Sequence, residues 1–271
     1  MKQDRKDDII SSLKSLEKHE SNPLENLYKI KKIIGEMKIK LDSLSDPFKK
    51  QWLYQLIKHY EESKIPKWED EVKKKFGYEL EEKLKGIGFE LTGHYPLIKV
   101  AFYTLEVNFN NLSVIIWWGY KQERLGTCKL TSDEVFKNLM EIHNKITQRP
   151  FNDREFLSKL YEAYKISLYL QNKKSGDQAP ISDVLFAYTF LSQDKKFREN
   201  PKKDNFREYP RYFFSYDLYR LKERNINNME LNLIIATRAY TVRPYDFLWI
   251  PYNEKGDGNY ISHIKFREVT L

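Results

Sequence analysis

The stretch "LIKVAFYTLEVNFNNLSVIIWWGY", residues 97–120, decides the fold class because it interrupts a largely helical pattern. Two runs rich in β-branched and aromatic residues flank the turn "NN" at 110–111, which predicts a β-hairpin. The apolar residues on either side of it recur at helical spacing instead. We therefore expect an α+β protein with a central β-hairpin accompanied by helices.

Helix start signals follow the hairpin. Thr131 with Glu134, and Asn152 with Glu155, each place a capping side chain three residues before an acidic one. This spacing forms a capping box, which satisfies the free backbone N–H groups of a first helical turn. The hairpin and these two helices make up a predicted middle α+β portion, residues 89–170.

Residues 1–88 predict a helical, coiled-coil-like region. Apolar side chains recur there at spacings of 3, 4, 3, 4 and 3, which is typical of a coiled-coil seam. The seam residues are Leu27, Ile30, Ile34, Met37, Leu41 and Leu44. Because a seam of about two and a half heptads is marginal alone, we interpret it as a surface that gains from a partner helix.

A second apolar stripe begins after Pro47. It is formed by Phe48, Trp52, Leu56 and Tyr60. Asp46 before Pro47 resembles an N-cap followed by proline in the first helical turn, as does Asn22 before Pro23. The chain is therefore expected to fold back as an antiparallel helix, which packs within the chain or against a second one.

Residues 181–271 predict a winged-helix-like domain. Helices are expected at 181–191 and 210–224, and strands near 230–238, 245–252 and 260–268. The order helix, loop, helix, strand, turn, strand is that of a winged helix, although the short first strand is not evident. The polar segments 171–180 and 192–205 are typical of linkers, where chain cleavage is tolerated.

The segment "YPRYFFSYDLYRLKER", residues 209–224, combines tyrosine and arginine. At 100° per residue, Tyr212, Tyr216 and Tyr219 share one helical face, opposite an apolar stripe. The helix is either buried on both sides, with its tyrosine hydroxyls at the rim, or it presents tyrosine and arginine to a partner. In the second interpretation the partner-binding or nucleic-acid-binding residues are Arg211, Tyr212, Tyr216, Tyr219, Arg220 and Arg224, with Arg238 and Arg243 on the wing.

Composition favours some partners and excludes others. The net charge of +8 favours polyanions or acidic protein surfaces. A single cysteine, Cys128, excludes an intramolecular disulfide.

Neither a run of about eighteen apolar residues nor the apolar part of a secretory signal occurs, so we expect a cytoplasmic protein without membrane association. A protein partner is expected first and a nucleic acid second, with oligomerisation left open.

No catalytic signature is present. The five histidines are scattered without ligand spacing and no glycine-rich phosphate loop occurs, so we expect neither a cofactor nor a resident metal. Glu106, Lys121 and Glu123 lie around the hairpin and could build a metal-dependent nuclease core. The acidic-x-lysine triplet of such a core is absent, however.

The sequence favours a non-enzymatic interaction protein, a subunit or adaptor of a larger assembly. Its C-terminal winged-helix-like domain is the candidate for a contact with nucleic acid. Two alternatives stay open. One is a regulator that sequesters a protein partner, such as a transcription factor, and releases it when a linker is cut or rearranged. The other is the metal-dependent nuclease.

Overall fold

The computed structural model describes residues 4–42 and 44–269, with side chains from Ile9 onward. Helices and antiparallel sheets are combined, so the predicted α+β class is confirmed. The chain forms two compact units. The first contains the described residues up to Gly88 together with Val107–Val114 and Cys128–Phe136, and the second contains Phe89–Glu106, Ile115–Thr127 and the chain from Lys137 onward. Within the described ranges, no helix has the length and apolar character needed to cross a bilayer.

The first unit is mainly helical. Its helices are α1 (Asp4–Glu20), α2 (Pro23–Leu41), α3 (Pro47–His59) and α4 (Ile65–Lys85), and a π-helical turn (Tyr60–Lys64) joins α3 to α4 without a break. Two helices begin where the sequence predicts them, at Pro23 and Pro47. The Asp46 carboxylate accepts hydrogen bonds from the backbone N–H groups of Phe48 and Lys49, which caps α3.

The predicted seam of α2 is closed inside the first unit. Four of its residues, Leu27, Ile30, Ile34 and Met37, are buried. They share a core with Leu16, Leu53, Ile57 and Tyr60, and Leu41 and Leu44 pack at its edge. Helices of the same chain therefore pack against the seam. This corrects the interpretation that the seam is a surface that gains from a partner helix.

The second predicted stripe is rotated around its helix. Phe48 and Trp52 are 89% and 52% exposed, whereas Leu53 and Ile57 face the core. A strict spacing of four residues drifts about 40° around the helix at each step, so one straight face cannot contain the whole stripe. The buried positions instead alternate between spacings of four and three.

The predicted central hairpin is part of a five-stranded antiparallel meander. Its strands are β1 (Leu91–His94), β2 (Leu97–Val100), β3 (Tyr103–Asn108), β4 (Ser113–Trp118) and β5 (Glu123–Lys129), in sequential order. The predicted first strand is split because Ala101, at a φ of 45°, turns the chain between β2 and β3. This split adds one strand, and β1 and β5, which lie outside the predicted hairpin, add two more.

Helices α5 (Ser132–Thr147) and α6 (Asp153–Leu170) follow. The backbone N–H of Glu134 donates to the Thr131 hydroxyl at 3.3 Å, and that of Glu155 donates to the Asn152 side chain at 3.0 Å. Both predicted N-terminal caps are therefore confirmed.

The C-terminal part of the second unit contains a further sheet and three helices. Its elements are β6 (Ala179–Pro180), α7 (Ile181–Leu191), α8 (Lys195–Glu199), α9 (Arg211–Arg220), β7 (Asn225–Ile226), β8 (Met229–Ile235), β9 (Leu248–Pro251) and β10 (Gly258–Glu268), with 3-10 turns at Lys203–Asn205 and Arg238–Tyr240. The strand order is β6-β10-β8-β7, and β9 also pairs with β10. Residues 171–180, predicted as a linker, lie inside this unit and end in the strand β6.

Candidate binding surface of the second unit

Helix α9 packs on both of its sides. Phe214 and Leu218 are fully buried in the main core of the unit. On the other side, the ring centres of Tyr216 and Tyr219 lie 5.7 and 5.4 Å from the ring centre of Phe102. Burial accordingly raises the pKa values of both tyrosines. A helix packed in this way offers no free tyrosine face, which agrees with the interpretation of two buried sides.

The third predicted tyrosine, Tyr212, is also half-buried. Its ring lies 4.8 Å from that of Phe213, and its backbone N–H donates to the Glu123 carboxylate at 3.0 Å. Glu123 is therefore a helix-capping acceptor for α9. Desolvation raises the pKa of Glu123, and the positive charge of Arg211 opposes that effect.

Arg220 belongs to an internal ion cluster. Its guanidinium and that of Arg149 each lie 2.7 Å from the same carboxylate oxygen of Asp217, whose side chain is only 4% exposed. Tyr209 donates its hydroxyl to the second oxygen of Asp217. In the partner-binding interpretation of the sequence, Arg220 is a partner or phosphate contact. In the structure its guanidinium binds Asp217 and donates to the carbonyl of Arg149 at 3.0 Å.

Arg211 holds a loop in place. We name residues 236–247, between β8 and β9, the wing loop. The Arg211 guanidinium donates to the carbonyl oxygens of Pro244 at 3.0 Å and of Phe247 at 2.5 Å, and it lies 5.6 Å from the centre of the Tyr245 ring. Arg211 is thus a positioning residue and not a free side chain of the kind that the partner-binding interpretation of the sequence requires.

The wing loop itself is exposed. Arg238 and Arg243 are both exposed, and neither has an ion-pair partner in the described part of the chain. Between and beside them, Tyr240, Val242 and Tyr245 are 45%, 78% and 73% exposed. Cationic and aromatic side chains therefore alternate along one anchored loop. Arg224, which precedes β7, is exposed as well.

An aromatic cleft adjoins the wing loop. It has a volume of about 430 Å³, and its lining includes Tyr120, Trp249, Tyr252 and Tyr260. The Tyr260 ring lies 4.9 Å from that of Phe247, the last residue of the loop. Tyr120 and Tyr252 are 65% and 61% exposed, so their rings are open to a ligand.

Two glycines shape this cleft. A Cβ atom at Gly119 would lie 2.6 Å from the Trp249 ring, and one at Gly258 would lie 2.5 Å from its Nε1 atom. The indole therefore sits between two positions that exclude any side chain. Gln122 holds the start of strand β9, to which Trp249 belongs. Its side chain donates to the Phe247 carbonyl at 3.0 Å and accepts from the backbone N–H of Trp249.

A smaller cavity of about 260 Å³ lies beside the Asp217 cluster. Its charged lining residues are Arg149, Lys159, Arg207, Glu155, Glu208 and Asp217. The cations and anions balance, and Lys159 pairs with Glu155 at 2.7 Å. This cavity therefore favours neither an anionic nor a cationic ligand.

The residues of the predicted nuclease core have other partners. Glu106 pairs with Lys121 at 2.6 Å and accepts from the Trp117 indole at 2.9 Å, and the hydrogen bond from Lys121 lowers the pKa of Glu106. Glu123 caps α9. Among the described residues, no group of three or more His, Cys, Asp or Glu side chains could hold a metal ion.

Comparison of the chain with protein-family models, with curated proteins and with solved structures found no match. The geometry of the second unit therefore carries the functional argument. Sequence reasoning named Arg238 and Arg243 as binding candidates, and the structure shows both exposed, but it did not predict the cleft. The signal available for it was the placement of glycine beside aromatic residues in "WWGY" and in "GDGNY".

Proposed function

We propose that the protein is a non-enzymatic binding protein whose winged-helix-like C-terminal domain contacts single-stranded nucleic acid through the wing loop and the aromatic cleft. The element order supports the domain assignment: α6, the short strand β6, α7, α8 and α9 precede the strands β7, β8, β9 and β10, with α8, β7 and β9 as additions to the winged-helix order. In this proposal the two-residue strand β6 takes the role of the short first strand of a winged helix.

The observation that carries this proposal is the anchored wing loop. Arg211 holds its C-terminal half by hydrogen bonds to two carbonyl oxygens, so the loop is ordered before any ligand binds. Arg243 and Arg238 then offer guanidinium groups for phosphate oxygens. Binding of this kind draws its affinity from counterion release and weakens steeply as salt increases.

The cleft selects single strands over duplexes. Tyr120 and Tyr252 line the cleft and are largely exposed, and stacking on an aromatic ring requires a base whose own face is free. A single strand offers such faces, whereas the bases of a duplex are already stacked. Helix α9 does not serve as a groove-reading helix in this proposal because Phe102 covers its tyrosine face.

The second part of the proposal is that the protein is a subunit of a larger assembly. Two exposed aromatic side chains on helix α7 support it. Phe186 and Phe190 are 61% and 48% exposed, with ring centres 4.9 Å apart. Adjacent exposed aromatic rings on a helix are typical of protein-binding surfaces. This surface is separate in sequence from the wing loop, so a protein partner and a nucleic acid do not compete for the same residues.

Fluorescence anisotropy with labelled oligonucleotides of about twenty nucleotides tests the proposal. We expect a single strand to bind more tightly than a duplex of the same sequence. Arg243→Ala is expected to weaken binding and to reduce the slope of log affinity against log salt by about 1. Lys67→Ala, which removes an exposed charge from the first unit, is the matched control and should leave binding unchanged. Absence of binding at low salt, or equal effects of the two variants, would refute the proposal.

A further inference from the structure

The lining of the aromatic cleft includes an ion pair. The Nζ atom of Lys99, in β2, lies 3.0 Å from a carboxylate oxygen of Asp257, the residue before β10. Both residues line the cleft, together with Tyr252. The side chains of Lys99 and Asp257 are 39% and 48% exposed, so a ligand in the cleft can reach the ammonium and the carboxylate. The pair therefore adds a cationic donor and an anionic acceptor to the aromatic lining.

The Asp257 carboxylate is held by the turn between β9 and β10. The side-chain amide of Asn253 donates to its second oxygen at 2.9 Å, and the backbone N–H of Asp257 donates to the Asn253 side chain at 3.0 Å. The hydrogen bond from Asn253 and the pair with Lys99 lower the pKa of Asp257, so the group is ionised at neutral pH. An ionised carboxylate has about four acceptor sites, and the described residues occupy two of them.

The same turn packs directly on the neighbouring sheet. A Cβ atom at Gly256 would lie 1.6 Å from the carbonyl oxygen of Ala101, so no other residue fits between the two backbones. Ala101 follows Lys99 by two residues and turns the chain from β2 to β3. This close packing holds Lys99 and Asp257 side by side before any ligand binds.

Tyr252 lies opposite Asp257 in the turn. Its backbone N–H donates to the carbonyl oxygen of Asp257 at 2.8 Å, next to the paired residues Pro251 and Gly258. Residues directly opposite each other in an antiparallel pair carry their side chains on the same face. The side chain of Tyr252, which is 61% exposed, is therefore a neighbour of the Asp257 carboxylate. A base that stacks on the Tyr252 ring can bring one edge to the ion pair.

The ion pair presents one donor followed by two acceptors. These are the ammonium of Lys99 and the two carboxylate oxygens of Asp257. The Watson–Crick edge of guanine has the complementary order, an acceptor at O6 followed by donors at N1 and N2. Cytosine offers one donor and two acceptors, adenine one donor and one acceptor, and thymine and uracil a donor between two acceptors. Guanine is therefore the common base that matches all three groups.

We propose that the cleft selects guanine at one position of the bound single strand, with Lys99 and Asp257 as the specificity-determining residues. Lys99 donates to O6, and the Asp257 carboxylate accepts from N1–H and N2–H while the base stacks on Tyr252. This inference rests on the proposed function, because the base belongs to a strand that the wing loop holds. Base pairing hides the Watson–Crick edge, so the same contact strengthens the preference for a single strand.

A single substitution in an oligothymidine of about twenty nucleotides tests the inference. In fluorescence anisotropy, one central guanine should raise the affinity about tenfold, whereas adenine or cytosine at that position should not. Hypoxanthine lacks the amino group on C2, so it should lose most of the gain. 7-Deazaguanine keeps the whole Watson–Crick edge and should retain the gain.

Protein variants identify the groups that read the base. Asp257→Asn replaces an acceptor oxygen by an amide donor, so this variant should bind the strands with and without guanine equally. Lys99→Ala removes the donor to O6 and should reduce the gain. Glu254→Gln, in the same turn but outside the cleft lining, is the matched control and should keep the full gain. Circular dichroism of each variant confirms that the fold is retained.

The outcomes separate this inference from the proposed function. A wild type that binds single strands without a preference for guanine overturns the inference and leaves the proposed function intact. An equal gain from guanine in the wild type and in Asp257→Asn also overturns it, because other groups would then read the base. A wild type that binds none of the strands overturns both.

Discussion

The guanidinium of Arg211, in the first turn of α9, lies 3.0 Å from the carbonyl oxygen of Pro244 in the wing loop and donates a hydrogen bond to it. This contact ties an exposed loop to a helix that is packed on both sides. A loop held in this way keeps its side chains in a fixed arrangement, which reduces the entropy lost on binding.

Replacing Arg211 should loosen the wing loop without unfolding the unit. In Arg211→Ala, the carbonyls of Pro244 and Phe247 lose their donor, so amide hydrogen exchange across residues 236–247 should become faster. Affinity for a single-stranded oligonucleotide should fall although Arg243 is intact. The exchange of α6 amides serves as the internal reference. Unchanged exchange in the loop would show that Arg211 does not hold it.

Removing the charge of Asp217 should destabilise the protein strongly. Asp217→Ala leaves the guanidinium groups of Arg149 and Arg220 in a largely buried position without their acceptor. Loss of one partner from such a buried cluster typically costs about 3–5 kcal/mol. The matched control is Glu199→Ala, since its pair with Lys195 is 65–87% exposed and contributes about 0–1 kcal/mol. Urea unfolding measures the free energy of unfolding of both variants. Similar losses of stability in the two would show that the Asp217 cluster does not stabilise the unit more than an exposed ion pair does.

Alanine at Gly119 should cost more than alanine at Gly176. Both glycines have positive φ, at 58° and 90°, so each substitution strains the backbone by about 1–2 kcal/mol. A Cβ at Gly119 also meets the Trp249 ring at 2.6 Å, whereas one at Gly176 meets no atom within 4 Å. Overpacking adds about 1–3 kcal/mol at Gly119. Equal unfolding free energies would show that the cleft can widen freely around the indole.

The raised pKa of Glu123 predicts a pH-dependent stability. Between the usual value of 4.5 and the raised value, the native state keeps a proton that the unfolded state has released. Stability therefore falls as pH rises through this window. Glu123→Gln does not titrate, so the variant should gain stability relative to the wild type as pH rises.

Glu106→Gln is the control with the opposite sign. Its hydrogen bond from Lys121 lowers the pKa of Glu106, so the wild-type carboxylate stabilises the protein above the unfolded pKa and loses that effect as pH falls. The variant should therefore lose stability relative to the wild type as pH rises. Urea unfolding across this pH range measures both variants. If the stability of both variants relative to the wild type changed with pH in the same direction, the opposite pKa shifts of Glu123 and Glu106 would be contradicted.

Local signals in the sequence predicted the helix starts, whereas long-range packing decided the features that were missed. Asp46, Thr131 and Asn152 cap helices because a short polar side chain reaches nearby N–H groups whatever the tertiary context. Strand β6 has two residues and exists only because β10 pairs with it. The turn at Ala101 also lacks a local signal, because alanine rarely adopts positive φ.

The candidate site was predicted only in part, because local sequence signals indicate exposure but long-range packing decides which side chains are already paired. Arg238 and Arg243 are exposed, as their place in a polar turn indicates. Arg211 and Arg220 are not free, because their partners come from the fold: Pro244 and Phe247 for the first, and Asp217 for the second. Asp217 precedes Arg220 by three residues, on the same helical face, and this spacing was a signal that the arginine is paired.

Photocrosslinking of a bound single-stranded oligonucleotide tests the central claim most directly. A photoreactive pyrimidine in the oligonucleotide, followed by mass spectrometry of the crosslinked peptides, identifies the residues that touch the bases. We predict crosslinks to residues 236–247 and to Tyr120 or Tyr252 of the cleft. Crosslinks confined to other parts of the chain, with the wing loop and the cleft unlabelled, would contradict the account.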